Sequence, residues 1–224
     1  MSRISNYIVL LPLLIALAAC GSDEAANQGT NATDTMSHEM GPFFQAEMLM
    51  KEKMMNAVGI DAGDNWVRKM IEHHRGAVAM SMIFLQKNPS GDLAEMAQAT
   101  VDKQTKEIAD LEKLVQNGQP DHQSDSLYYS AMAEMHDAMM AAQGANVSQT
   151  FMRKMLEHHR GAVAMSDVLL QRENVSSEIR RKAEETKRDQ QKESLLLERM
   201  LRGEPMEVPE QTAAAPKSGP SGGR

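Results

Sequence analysis

The strongest constraint on this chain is that it repeats itself. Residues 66–81 recur as residues 151–166 at an offset of 85, with Glu72-His73-His74-Arg75-Gly76-Ala77-Val78-Ala79-Met80-Ser81 reproduced without change from Glu157 to Ser166. Extended to Gln86 and Gln171, the two stretches share 15 of 21 positions, and the same offset pairs Met50 with Met135, Met54-Met55 with Met139-Met140, and Gly59 with Gly144. Self-similarity at a fixed period means that one folding unit is used twice. Each copy has three stretches of helical periodicity: a Met-rich one (43–58 and 126–143), one around the His pair (64–87 and 148–172) and a charged one (92–117 and 176–202). No alternation of period two competes with them. Gly59, Gly63, Pro89, Gly91, Gly118, Pro120, Gly144 and Gly203 stand where these helices should stop. The expected fold is all-α, a helix bundle of two tandem three-helix repeats (43–118 and 119–203). Two such units bury more surface by sharing a core, so one compact bundle or two tightly docked units is expected.

The ends read differently. Residues 1–19 carry Arg3, an apolar run from Ile8 to Leu17 too short to span a bilayer comfortably, and small residues before Cys20, a signal-peptide pattern resembling the bacterial lipobox. Cys20 is then the lipid attachment point and the membrane a partner, which places the protein in the bacterial cell envelope, facing the periplasm. Gly21 after the cysteine, where Asp is absent, favours the outer membrane. Residues 20–42 are almost without apolar side chains up to Ser37 and read as a flexible tether, and residues 204–224 as a disordered tail rich in Pro, Ala, Ser and Gly. Cys20 is the only cysteine, which excludes an intrachain disulfide framework, a four-cysteine zinc site, a CxxC redox pair and an iron–sulfur cluster. With a net charge of -7 and basic residues scattered along the helices, nucleic acid is not an expected partner.

Composition bears most directly on chemistry through methionine: 20 Met in 224 residues, against an aromatic content of 4%. On a helical wheel, Trp66, Val67, Met70, Ile71, His74, Ala77, Val78, Ser81, Phe84 and Leu85 form one apolar stripe, with Arg68, Lys69, Glu72 and Arg75 opposite. His74 lies mid-stripe, while His73 and Met80 share its edge; Met155, His158, His159 and Met165 repeat the arrangement. Met132, Met135, His136, Met139 and Met140 then follow i, i+3, i+4, i+7, i+8 on one face. Leu would pack there at least as well. Thioethers with imidazole suit Cu(I), and neutral His can also hold Cu(II). The competing reading is that Met simply fills an adaptable core or a groove for varied partners. In the first copy Lys51 stands where His136 stands, and Met48, Met50, Met54 and Met55 are split around the helix. Two unequal metal sites are therefore expected, the looser one completed by Met36, His38 and Met40. Gln104 and Gln190 are the polar members of apolar seams on the charged helices, placed to orient a ligating His or to bond a backbone carbonyl. No Glu-x-x-His pair, CxxCH, HExxH or Gly-rich phosphate loop is present, so no enzyme is expected.

The string His73-His74-x-Gly76-Ala77-Val78-x-Met80, preceded by Arg68 and Met70 and followed by Gln104-x-x-Glu107-Ile108, resembles domain-of-unknown-function family 305. Asp64 and Trp66 match its entry in the first copy; the second has Gln149 and Phe151 there, and Gln190-x-x-Glu193-Ser194 later. The resemblance implies a ferritin-like all-α bundle and, through CopM-type periplasmic members, copper held by Met and His. These readings together anticipate a lipid-anchored envelope protein that buffers or transfers copper, contributes to copper tolerance and meets a copper-exporting or copper-accepting protein. The alternative is a non-metal lipoprotein whose Met-rich surface binds protein or peptide partners.

Overall fold

The computed structural model describes residues 41–204. The signal, lipid-attachment and tail assignments, with Met36, His38 and Met40, lie outside the described residues. Within them the chain forms six helices and no strand: α1 Phe44–Asn56, α2 Ala62–Leu85, α3 Asp92–Glu112, α4 Tyr129–Ala141, α5 Val147–Leu170 and α6 Ser177–Leu201. A helical turn at His122–Asp125 and a 3-10 turn at Ser126–Tyr128 lead into α4. No described helix is long and apolar enough to cross a membrane.

Local chemistry sets the helix starts. The Asp61 carboxylate accepts from the Asp64 N–H at 2.8 Å and caps α2; Asn146, at the same place in the second copy, accepts from the Gln149 N–H at 2.9 Å and caps α5. Both helices thus start slightly before the positions the apolar periodicity marks. Buried Asp64 then accepts from the Ile60 N–H, the Gln116 N–H and Arg68 Nε at 3.1, 2.8 and 2.8 Å, tying the loop ahead of α2 to the end of α3.

The two copies pack as one bundle around a pseudo-two-fold axis. Helices α1 and α3 lie on α2, α4 and α6 lie on α5, and α2 and α5 cross at the centre. Buried apolar side chains from both copies make a single cluster. Across the α2–α5 seam, the Phe84 and Phe151 rings stack with centroids 4.3 Å apart, and Trp66 Nε1 donates to Ser166 Oγ at 3.3 Å. Each crossing element also meets a methionine from the preceding helix: Met50 lies over Gly76 and Met135 over Gly161. The glycine of the repeated His-His motif is therefore a contact surface for a thioether.

One expectation fails. Lys69, placed on the solvent face by the wheel, is fully buried, and its counterpart Lys154 is 2% exposed. Lys69 Nζ donates to the Met54 carbonyl at 2.9 Å and lies 2.6 Å from Asp125 Oδ1; Lys154 Nζ donates to the Met139 carbonyl at 2.8 Å and lies 2.7 Å from Glu47 Oε1. Each lysine caps the C-terminal end of the Met-rich helix in its own copy and pairs with a carboxylate from the other. The wheel misses this because it sees one helix at a time, and the partners come from elements distant in sequence.

A methyl group at Gly161 would overlap the Met135 side chain as far back as its Cβ. Gly161→Ala is expected to cost about 1–3 kcal/mol of stability by overpacking, and the Gly76→Ala equivalent against Met50 a similar amount. Urea unfolding in a double-mutant cycle with Met135→Ala should show strong coupling; additive losses would mean that the glycine does not serve this contact.

Candidate metal site

The four histidines of the repeated motif are all at the centre of the bundle, at most 3% exposed. His73 Nε2 lies 2.9 Å from the His158 carbonyl oxygen, and His158 Nε2 lies 2.9 Å from the His73 carbonyl oxygen. A carbonyl only accepts, so each Nε2 carries the proton and donates it. The two rings stack with centroids 3.5 Å apart. Burial, followed by the neighbouring imidazoles, pushes both rings' proton affinity well below the usual histidine value. Both Nε2 atoms are committed to the seam. Their edge position on the wheel is thus a contact with the other repeat, and Met80 and Met165, fully buried beside them, are core residues, as are Met70 and Met155.

His74 and His159 face outward from that seam toward α3 and α6. His74 Nε2 lies 3.3 Å from Glu107 Oε2, and His159 Nε2 lies 3.7 Å from Glu193 Oε2. Gln190 Oε1 pairs with His159 Nδ1, and its Nε2 donates to Glu193 Oε2 at 3.4 Å. Buried Gln104 makes no such bond to His74. The carboxylates of Glu107 and Glu193 are the partners that sequence reasoning passed over. Their signal was the Gln-x-x-Glu spacing, which puts both side chains on one helix face. Lys103 closes the cluster across the copies, 2.6 Å from Glu193 Oε1 and 3.3 Å from Asp189 Oδ2. Against the cost of burial, the His74 ring with Lys103 and Lys182 holds the Glu107 carboxyl below its ordinary range. Three carboxylates, Glu107, Asp189 and Glu193, thus converge on the one ammonium of Lys103.

The methionines gather elsewhere. A groove of about 260 Å³ between α1 and α4 is lined by Met50, Met54 and Met55 from the first copy and Met132, Met135 and His136 from the second, with Lys51, Tyr129 and Ala133. Two separate, unequal sites were expected, but the thioethers of both repeats meet in one composite groove. The Met residues that look split on the α1 wheel do so because Met50 and Met54 point toward α2 and α4 while Met55 stands at the rim, 41% exposed. Met139 is buried in the core and Met140 is partly buried, and neither lines the groove. His136 is 7% exposed, and its Nδ1 has no hydrogen-bond partner. Burial, then the charges of Lys51 and Lys154 against that of Asp137, holds this ring below the ordinary histidine value, so its lone pair stays available. Among the described residues no three His, Cys, Asp or Glu side chains cluster closely enough to hold a metal ion.

The central rings give a pH dependence with a definite sign. Between their depressed native values and about 6.5, the unfolded chain binds more protons than the native one. Stability should fall as pH drops below about 6.5, by up to ~1.4 kcal/mol per pH unit for each of His73 and His158. Glu47 works the other way: burial pushes its carboxyl up against the pull of Lys154, so its share of the stability falls as pH rises above the ordinary Glu value. Replacing His73 and His158 together by Gln should flatten the decline of urea stability below about pH 6.5; parallel profiles for variant and parent would show that these rings do not titrate on unfolding.

Neither the curated proteins nor the solved structures gave a match to this chain. The chain belongs to the family described as Domain of unknown function (DUF305), whose pattern matches it twice, over residues 16–115 and 113–201.

Proposed function

We propose that this protein is a lipid-anchored cell-envelope protein that binds copper, as Cu(I), in the groove between α1 and α4, and buffers the ion or hands it to a copper-exporting or copper-accepting partner. The observation that carries the proposal is the composition of that groove: five thioethers and the imidazole of His136 line one concave surface with Lys51, Tyr129 and Ala133, and the ring's Nδ1 lacks any other partner. Thioether and imidazole are soft to borderline donors matched to Cu(I), and neither needs to lose a proton before binding. Leucine would fill the same space without sulfur. The resemblance to CopM-type periplasmic proteins and the lipobox-like sequence before Cys20 support the setting.

The groove needs both repeats, so one strong site per chain is expected. Replacing Met50, Met54, Met132 and Met135 by Leu is close to volume-conserving and should cost less than about 1.5 kcal/mol of stability at each position. Cu(I) affinity, read by competition with a chromophoric chelator, should fall tenfold or more, about 1.4 kcal/mol. The control set Met70, Met80, Met155 and Met165→Leu, in the core and away from the groove, should leave affinity unchanged. If the groove variant binds as tightly as the parent, the copper reading fails, and the groove becomes a place for an apolar side chain of a protein partner. Cys20→Ala should move the protein from the membrane to the soluble fraction; retention on membranes would refute anchoring through that thiol.

A further inference from the structure

The groove is notable for the charges it holds. None of its lining residues is a carboxylate, and one, Lys51, is a cation. At the offset of 85, Lys51 occupies in the first copy the place of His136 in the second. The pseudo-two-fold relation that brings the two Met-rich helices together therefore puts Lys51 beside the groove in the position that corresponds to His136, close enough for its charge to act on that ring. Lys51 is solvent-exposed at the rim and makes no ion pair that would cancel it among the described salt bridges. Lys154, the other cation acting on His136, has its charge matched by Glu47 at 2.7 Å. Asp137 on α4 is the one carboxylate that acts on the His136 ring, and it does not line the groove.

Two physical consequences follow from that placement. Neutral donors leave the whole charge of a bound ion uncompensated against an apolar wall, and the desolvation cost of that charge rises steeply from a monovalent to a divalent ion. Repulsion from a fixed positive charge is proportional to the charge of the ion, so whatever factor Lys51 imposes on a monovalent ion is squared for a divalent one. Because Lys51 is exposed, solvent and salt screen it, and the factor is modest.

We infer that Lys51 is a charge filter on the groove: it biases the site toward a soft monovalent cation, Cu(I) or Ag(I), over Cu(II) and Zn(II), and loosens the hold on that cation so that it can be passed on. The inference rests on the copper reading above and adds to it the ion class and the direction of tuning. The composite groove supplies the donors, and the departure from symmetry at one residue sets how strongly they hold.

The test uses the full chain carrying Cys20→Ser, so that no thiol competes, in nitrate salts that do not precipitate silver. Ag(I) and Cu(I) affinities are measured by competition, with Zn(II) as the redox-inert divalent probe. Lys51→Gln should tighten Ag(I) and Cu(I) binding about fivefold, about 1 kcal/mol, and Zn(II) binding by roughly the square of that factor. The gain should shrink as ionic strength rises from about 0.01 M to 0.15 M. Lys51→Arg keeps the charge and should match the parent, while Lys51→Glu should tighten all three ions further. A parent that binds neither Cu(I) nor Ag(I) would overturn the copper reading and the filter with it. A parent that binds them, with Lys51→Gln no tighter, would overturn the filter alone. So would equal gains for monovalent and divalent ions that ignore salt, because those would report a steric effect.

Discussion

Everything else in this bundle is arranged around the close crossing of α2 and α5, where His73 and His158 exchange hydrogen bonds with each other's backbone carbonyls at 2.9 Å and stack at 3.5 Å. The strength of those two bonds is not what matters: a buried hydrogen bond contributes about 1 kcal/mol net, and leaving each Nδ1 unpartnered costs a comparable amount. Their geometry matters more. Two donors that must each find the carbonyl of the opposite ring's own residue admit one register of the helices, and the stacked neutral rings admit one spacing. Protonating either ring would bury an unpaired charge against its neighbour.

The remaining cross-copy contacts follow once that register is set. The Met-rich helices α1 and α4 are drawn onto α2 and α5 through Met50 over Gly76 and Met135 over Gly161, and so come to lie against each other. Their ends are held by Lys69 and Lys154, each capping a helix of its own copy while pairing with a carboxylate of the other. Buried pairs of this kind add little to stability compared with an apolar replacement, yet removing one partner costs about 3–5 kcal/mol. They therefore fix the mutual placement of the repeats. The thioether groove is a product of that placement, with walls from α1 and α4 and no counterpart within either repeat alone.

The departures from symmetry are where the two halves specialise. Trp66 donates to Ser166, whereas Phe151 has no donor to offer Ser81, whose hydroxyl is left without a partner. Gln190 joins His159 to Glu193, whereas Gln104 stands apart from His74. Lys103 and Asp189 face one another as a cation and an anion at 3.3 Å. Lys51 and His136 hold equivalent places around the groove and bring opposite chemistry to it.

Periodicity and repetition in the sequence determined the all-α fold, the duplicated three-helix unit, the approximate extent of the helices and the richness in thioether and imidazole donors, because these depend on interactions within a few residues along the chain. The caps at Asp61 and Asn146 and the stops near Gly59 and Gly144 act within one turn and can be read from the residues themselves. What a helix edge touches cannot be read that way. His73, placed at the edge of its helix's apolar stripe, is a contact with the other repeat. Lys69 looked solvated and is buried. Met50 and Met54 looked scattered and belong to one groove with Met132, Met135 and His136. In each case the deciding partner lies on another helix, and the local pattern of a helix specifies that one face is covered but not by which neighbour or at what register. Only the packing of the two copies across α2 and α5 decided that, and with it which methionines are core and which line the groove.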